Sequence, residues 1–315
     1  MAIYVLRRFA FFLGAVFSAS VLIFVLIRAA GGNVAAVLLG QDASPAAIDA
    51  LAQAYGLDRP WPVQYLDWIG NMLHGDLGRS FRTSESVTAL ITSGLSVSIP
   101  LAMSGLVVGT LIAIPVGAYD ARNAGKPSGA VIALLSQVGV AVPVFWAGVL
   151  LSLLFGVRLG LLPTGGWTAW STSIAGAIRS LVLPVSALSL VMAATLSRYI
   201  RSAVLDVMNQ DYVRTARAVG MTRTQALLRV GLRNAALPIV TVLGLQVAEL
   251  IGGTVIIETV FSLPGLSRMI LANVAAREVI VVQSTVMVVI VFVVAVNLAV
   301  DLLYGVLDPR IRVAR

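Results

Sequence analysis

Cysteine is missing from this chain altogether, histidine occurs once, at His74, and lysine once, at Lys126. Without thiols there is no disulfide, iron–sulfur or thiolate chemistry, and one imidazole cannot build a multi-histidine metal centre. Charge is scarce as well. Only 11% of the 315 residues are charged and 59% are hydrophobic, whereas a soluble domain spends roughly a quarter of its residues on charge. A nucleotide cradle is also lacking: Gly125 precedes Lys126, but Pro127 follows it, and Asp120 stands where GxxxxGK[ST] needs its first glycine. The chain is not expected to hydrolyse ATP alone.

What is present in excess is uncharged apolar length. A hydrocarbon core of about 30 Å takes ~20 such residues as helix, and six stretches qualify: Phe9–Ile27, the second half of Ser86–Tyr119 from about Leu95, Pro127–Val157, Ser180–Ser197, Leu237–Ile257 and Val279–Val300. The first is longer than the ~7–15-residue core of a cleaved signal and reads as an uncleaved anchor. A seventh uncharged segment, Leu159–Ile178, contains Pro163, Gly165-Gly166 and two tryptophans, and reads as an interfacial loop. The expected fold class is an all-α polytopic membrane protein with six transmembrane helices.

The net charge of +8 raises nucleic acid as a partner, but the distribution argues for topology instead. With the N- and C-termini in the cytoplasm, 14 basic residues lie inside, among them Arg7, Arg8, Arg122, Lys126 and Arg310, and 8 outside. The acids run the other way, with 5 inside, 8 outside and Glu249 within the fifth span. That asymmetry is the positive-inside pattern, and no nucleic acid is needed to explain it. Trp61, Trp68, Trp167 and Trp170 fall in the outer segments, where interfacial aromatics belong.

The long polar interruption is Arg198–Pro238, with seven arginines against Asp206 and Asp211. Inside it, Tyr212–Val219 reads as a short helix with Asp211 as its cap and Gly220 as its stop. Thr222 and Gln225 fit a capping box that restarts the chain as a second helix. Ala216 and Ala218 keep the first helix slim enough to enter a groove. A loop that merely retained positive charge inside would not require two capped helices about a glycine.

The outer segments hold further candidates. Ser44-Pro45 opens a helix over Ala46–Tyr55, Arg59-Pro60-Trp61-Pro62 reads as an extended link, and Val63, Leu66, Ile69 and Leu73 recur at helical spacing, compatible with a helix along the interface. The segment Glu258–Glu278 carries Phe261-Ser-Leu-Pro264-Gly265, which is either a returning loop or an external gate. Glu249, at mid-span and three residues before Gly252-Gly253, is either a wall of a substrate path or a hydrogen-bonding group at a helix contact. Asn297 and Asp301, one turn apart, read as bundle hydrogen bonds, and His74 as interfacial.

These residues resemble a known family, the first-type permease subunit of bacterial dipeptide/oligopeptide ABC importers, which nickel importers also use. The likeness covers nearly the whole chain: Tyr4-Val-Leu-Arg-Arg8, Gly56-Leu-Asp-Arg-Pro60, Gly75-Asp-Leu-Gly-Arg-Ser80, Pro143-Val-Phe-Trp146 and Leu162-Pro-Thr-Gly-Gly166. The most specific blocks are Asp211–Gly220, Leu232-Arg-Asn-Ala-Ala-Leu-Pro238, Glu258–Gly265 and Asp308-Pro-Arg-Ile-Arg312. The resemblance implies a type I ABC importer permease fold in the bacterial cytoplasmic (inner) membrane. It divides the chain into 1–95, a first span plus extracytoplasmic region, and 96–315, a permease core of five spans with coupling loop 198–236.

The implied partners are a second homologous permease, two ATP-binding subunits that use ATP and Mg, an extracytoplasmic substrate-binding protein and a peptide substrate. This chain binds no cofactor or metal of its own and is not an enzyme. The resemblance implies that the ATPase-docking residues are Asp211, Tyr212, Arg214, Thr215, Ala216, Arg217, Ala218 and Gly220; Glu249 and Glu258 stand as candidates for a substrate path, and Phe261, Pro264 and Gly265 as candidates for an external gate. Arg214 replaces the usual glutamate of the loop pattern, and Ala30-Gly-Gly-Asn33 departs from the expected turn after the first span. Nickel or another small solute is the alternative cargo. A stand-alone ion-coupled transporter would need internal repeats and broken helices bearing the coupling site, and no repeat is visible. An intramembrane enzyme would need paired acids or a Ser/His arrangement that the spans lack.

Overall fold

Lipid offers the backbone no hydrogen-bonding partner, so each apolar segment satisfies its own N–H and C=O groups as helix. The computed structural model describes residues 2–31, 36, 44–54 and 56–307, and within them everything regular is helical apart from one isolated bridge, Arg79 with Ser86. Four described helices are long and apolar enough to cross a membrane, or up to six if each of two bent pairs counts as one span. They are α1 (Ala2–Gly31), α4 (Val87–Arg122), α7 (Ile174–Met208) and α12 (Val279–Leu307). Between α1 and α4 lie α2 (Pro45–Ala54) and α3 (Trp61–Leu73).

The third apolar stretch differs from the single span expected. It forms α5 (Pro127–Ala141) and α6 (Val144–Leu151), the latter continued by a π-helical turn Ser152–Arg158, with a 100° bend between the two arms. Pro143 is the cause: it lacks an N–H and pushes Val142 into extended backbone, φ −79 and ψ 118. Leu159–Ile178 is no span either, and helix resumes only at Ile174. The fourth span is longer than its apolar core. α7 runs through Arg198 and Arg201 to Met208 without a break, so the basic stretch begins as membrane helix rather than as loop. After α8 (Asp211–Ala218) and α9 (Arg223–Ala226), a π turn Leu227–Gly231 leads into α10 (Leu232–Val260), then α11 (Leu266–Ala275) and α12. Trp61 and Pro62 belong to the first turn of α3, with Pro60 as its N-cap, rather than to an extended link. Proline suits that turn because its missing N–H is unsatisfied there anyway.

The chain forms two compact units. One comprises the described residues 2–4, 98–263 and 299–307. Its centre is α7, against which α5, α6 and α10 pack. Met192, Leu196, Ile200, Val204 and Met208 recur every fourth residue along α7 and bury one continuous stripe with Ala113, Ala121, Val213 and Ala226. α4 approaches closely through small residues: a Cβ at Gly117 would lie 2.5 Å from the Ser197 carbonyl oxygen and 2.8 Å from Ile200. Buried Asp120, at the end of α4, pairs with Arg201 of α7 at 3.1 Å.

The other unit comprises the described residues between 5 and 97 together with 264–298. Val87, Ile91, Leu266 and Val281 form its apolar centre. The buried Glu278 carboxylate gathers the loop before α4, accepting the Ser80 hydroxyl at 2.9 Å and the backbone N–H groups of Phe81 at 3.1 Å and Arg82 at 2.7 Å.

Candidate functional site

The sequence from Asn209 to Ala226 builds an exposed helix held between two defined ends. Gln210, with ψ 148, is the N-cap of α8 and makes no side-chain cap bond. Asp211 is therefore the first helical residue and not the cap expected; its carboxylate still favours the positive end of the helix and accepts from Arg214 Nη1 at 3.4 Å. At the other end Gly220 has φ +95, a left-handed conformation that glycine adopts without Cβ strain. Its N–H donates to Arg217 O at 3.1 Å, while Met221 N–H donates to Ala216 O at 3.2 Å. Those two bonds make a Schellman stop. The capping box that follows is complete: Gln225 N–H donates to Thr222 Oγ1 at 3.2 Å and Thr222 N–H to Gln225 Oε1 at 3.0 Å.

The helix has two faces. Val213 and Ala216, three residues apart, are buried in the same apolar cluster as the end of α7 and Ala226. Ala216 thus seats α8 on its own support and does not present a slim surface outward. Val213, fully buried, is the anchor that sequence reasoning missed, although its place three residues before Ala216 was the available signal. Asp211, Tyr212, Arg214, Thr215, Arg217, Ala218 and Gly220 are all exposed, and so is Val219, an apolar side chain 73% open at the tip. Beside this platform a cavity of about 250 Å3 opens among Tyr119, Arg122, Val204, Arg223 and Leu228.

The remaining candidates are dispersed. Glu258 on α10 is fully buried and accepts the Ser98 hydroxyl. Phe261 is buried too, with its carbonyl accepting the Gly166 N–H at 2.8 Å. The chain passes from one unit to the other between Leu263 and Pro264, so Phe261 and the Pro264-Gly265 turn belong to different units. Pro264 is exposed and Gly265 buried. The backbone of Glu249 is helical within α10, but its side chain lies outside the described residues, as does the whole of Asp308–Arg312. Among the described residues no group of three or more His, Cys, Asp or Glu side chains is arranged to hold a metal ion.

The structure is that of a helical membrane protein carrying a capped, exposed helix at the end of one long span. Residues 105–313 match the family described as the binding-protein-dependent transport system inner membrane component, and residues 1–102 match the N-terminal part described for the same systems. The chain belongs to this family and is an ABC permease subunit, a non-catalytic, multi-pass component of the inner membrane. It is 37% identical to the oligopeptide transport system permease protein AppB of Bacillus subtilis over 99% of each chain. It is 38% identical to a putative peptide transport system permease protein of Brucella abortus, again over 99% of each. A probable peptide ABC transporter permease protein of Sinorhizobium fredii is 33% identical over 99% of this chain and 100% of that one. The crystal structure of an amino acid ABC transporter with histidines shares the fold, with a TM-score of 0.50 and 20% identity over 71% of this chain and 94% of that chain.

Proposed function

We propose that this chain is the membrane-spanning subunit of an ATP-driven importer of di- and oligopeptides, working by alternating access. The observation that carries the reading is α8: an exposed helix with a Schellman stop and a following capping box, anchored by Val213 and Ala216 on the end of α7. Its exposed face, Asp211, Tyr212, Arg214, Thr215, Arg217 and Val219, docks in a cleft of a partner ATPase, which supplies the energy from ATP and Mg. The peptide cargo is supported by the names that its full-length relatives carry. A second homologous permease, two ATPase subunits and an external binding protein complete the assembly. In this reading both termini and α8 face the cytoplasm, residues 1–95 form the first span with its external region, and residues 96–315 form the permease core. Glu249 and Glu258 border the substrate path, with Glu258 reached when its Ser98 contact opens. Phe261, Pro264 and Gly265 form the external gate.

Co-expression with candidate ATPase subunits tests the docking claim. Val219→Asp places a charge on the exposed tip without touching the anchor, and it should abolish co-purification and transport-coupled ATPase activity while the chain itself accumulates normally. An intact, coupled complex with this variant and with Gly220→Pro would sink the assignment.

A further inference from the structure

The unit built from residues 5–97 and 264–298 contains a cavity of about 530 Å3 bordered by α1, α3, the turn before α4 and the start of α12. Three buried polar atoms on the residues around it have no hydrogen-bond partner among the described residues: Arg28 Nε, Trp68 Nε1 and Gln64 Oε1. Leaving a buried polar group unpaired is destabilising because its hydration is lost without replacement, so three around one cavity mark a place for an occupant.

None of the three can easily turn away. The Gln64 amide N–H2 donates to Leu57 O at 3.0 Å and Arg59 O at 2.7 Å, which fixes the orientation of the carboxamide and leaves its oxygen unused. The Trp68 ring lies against Phe24 and Tyr65, with centroids 6.3 and 6.2 Å apart. The Arg28 guanidinium sits over the Phe24 ring at 5.5 Å. The other charges at the cavity are already engaged: Arg59 pairs with Asp67 at 3.1 Å, and Asp76 accepts the Gly78 N–H at 2.9 Å. Arg28 is left as a cation without a counter-ion among the described residues. Two donors and one acceptor together call for an anion that carries a hydrogen-bond donor of its own.

The position says which anion. Arg28 lies in the last turn of α1, at the end of the apolar span Ile3–Ala29, the level at which headgroups sit. The flanking surface is apolar and open: Leu22 and Leu26 on α1 and Leu66 and Leu73 on α3 are all more than half exposed. We propose that this cavity holds a phospholipid headgroup, its phosphate bound by Arg28 and Trp68 and its ammonium or hydroxyl donor by Gln64. The inference is independent of the transported solute.

Native mass spectrometry of the full chain, purified in mild detergent and titrated with single lipids, tests this. Phosphatidylethanolamine or phosphatidylglycerol should be retained in preference to phosphatidylcholine, whose headgroup has no donor for Gln64. Arg28→Gln and Trp68→Phe should each weaken that binding about tenfold, the equivalent of one charge-assisted hydrogen bond. Trp68→Phe keeps the aromatic packing and removes only the N–H, so its lipid-free thermal unfolding should match the parent. Unchanged retention in both variants, or equal retention of phosphatidylcholine, would overturn the proposal. Complete displacement by millimolar inorganic phosphate would also overturn it, in favour of a free-anion site.

Discussion

Two buried acids do local work that their place in the sequence did not announce. Asp120 lies just past the uncharged tract Ser86–Tyr119, yet α4 continues through it, and its partner Arg201 comes from a different helix far along the chain. Pairing between distant segments has no signature in local spacing, so the contact was illegible beforehand. Arg201→Gln should leave Asp120 buried without its cation and lower stability by about 1–3 kcal/mol. Asp120→Asn combined with Arg201→Gln should recover part of that loss in a double-mutant cycle read by thermal unfolding. Glu278 is the acid that holds a loop, with one hydroxyl and two N–H donors on its carboxylate. Glu278→Gln replaces an acceptor-only group with an amide whose NH2 opposes donors, and about 2–3 kcal/mol should be lost; an unchanged unfolding midpoint would contradict the clasp.

Among the elements, the stretch from Asp211 to Gln225 was the most legible, because caps are encoded by neighbours. Gly220 and the Thr222/Gln225 box announce themselves within a few residues, and both are formed. What local pattern could not supply was the facing of α8, since Val213 and Ala216 turn inward only because the end of α7 lies beneath them. The same limit applies to α3, whose apolar row Val63, Leu66 and Leu73 points outward while Gln64 is buried. Two glycines illustrate two separate demands. Nothing lies within 4 Å of a Cβ built at Gly220, so Gly220→Ala should cost only the left-handed backbone, about 1 kcal/mol. Gly117 has ordinary backbone but no room, and Gly117→Leu should force α4 from α7 and prevent a stable fold, seen as loss of the monodisperse detergent-solubilised protein. Comparable stability of the two variants would refute this division.

For the whole molecule, apolar runs located the helices well and their breaks poorly. Pro100, Pro115 and Pro184 lie inside continuous helices, whereas Pro143 accompanies a 100° bend. Proline disfavours helix at the residue before it, but surrounding packing decides whether the chain gives way. Orientation is legible only through charge, and the absence of cysteine makes it directly measurable. In intact cells a membrane-impermeant maleimide should label Ser171→Cys, while Ser128→Cys should react only after permeabilisation. The reverse pattern would invert the topology proposed above.

The length of α7 has a mechanical consequence. Its 35 residues extend about 52 Å at 1.5 Å per residue, some 20 Å more than the hydrocarbon they cross. The excess is an arm, and α8 is fastened at its tip by a two-residue turn. Tilting such an arm by about 10° around its midpoint would carry the tip about 4–5 Å, close to one helical turn. A movement at the α8 seat is thereby returned inside the bilayer as an opposite movement of the far half of the same rod. Transmission then needs no relay of side chains between the α8 seat and the span, because one continuous helix reaches both.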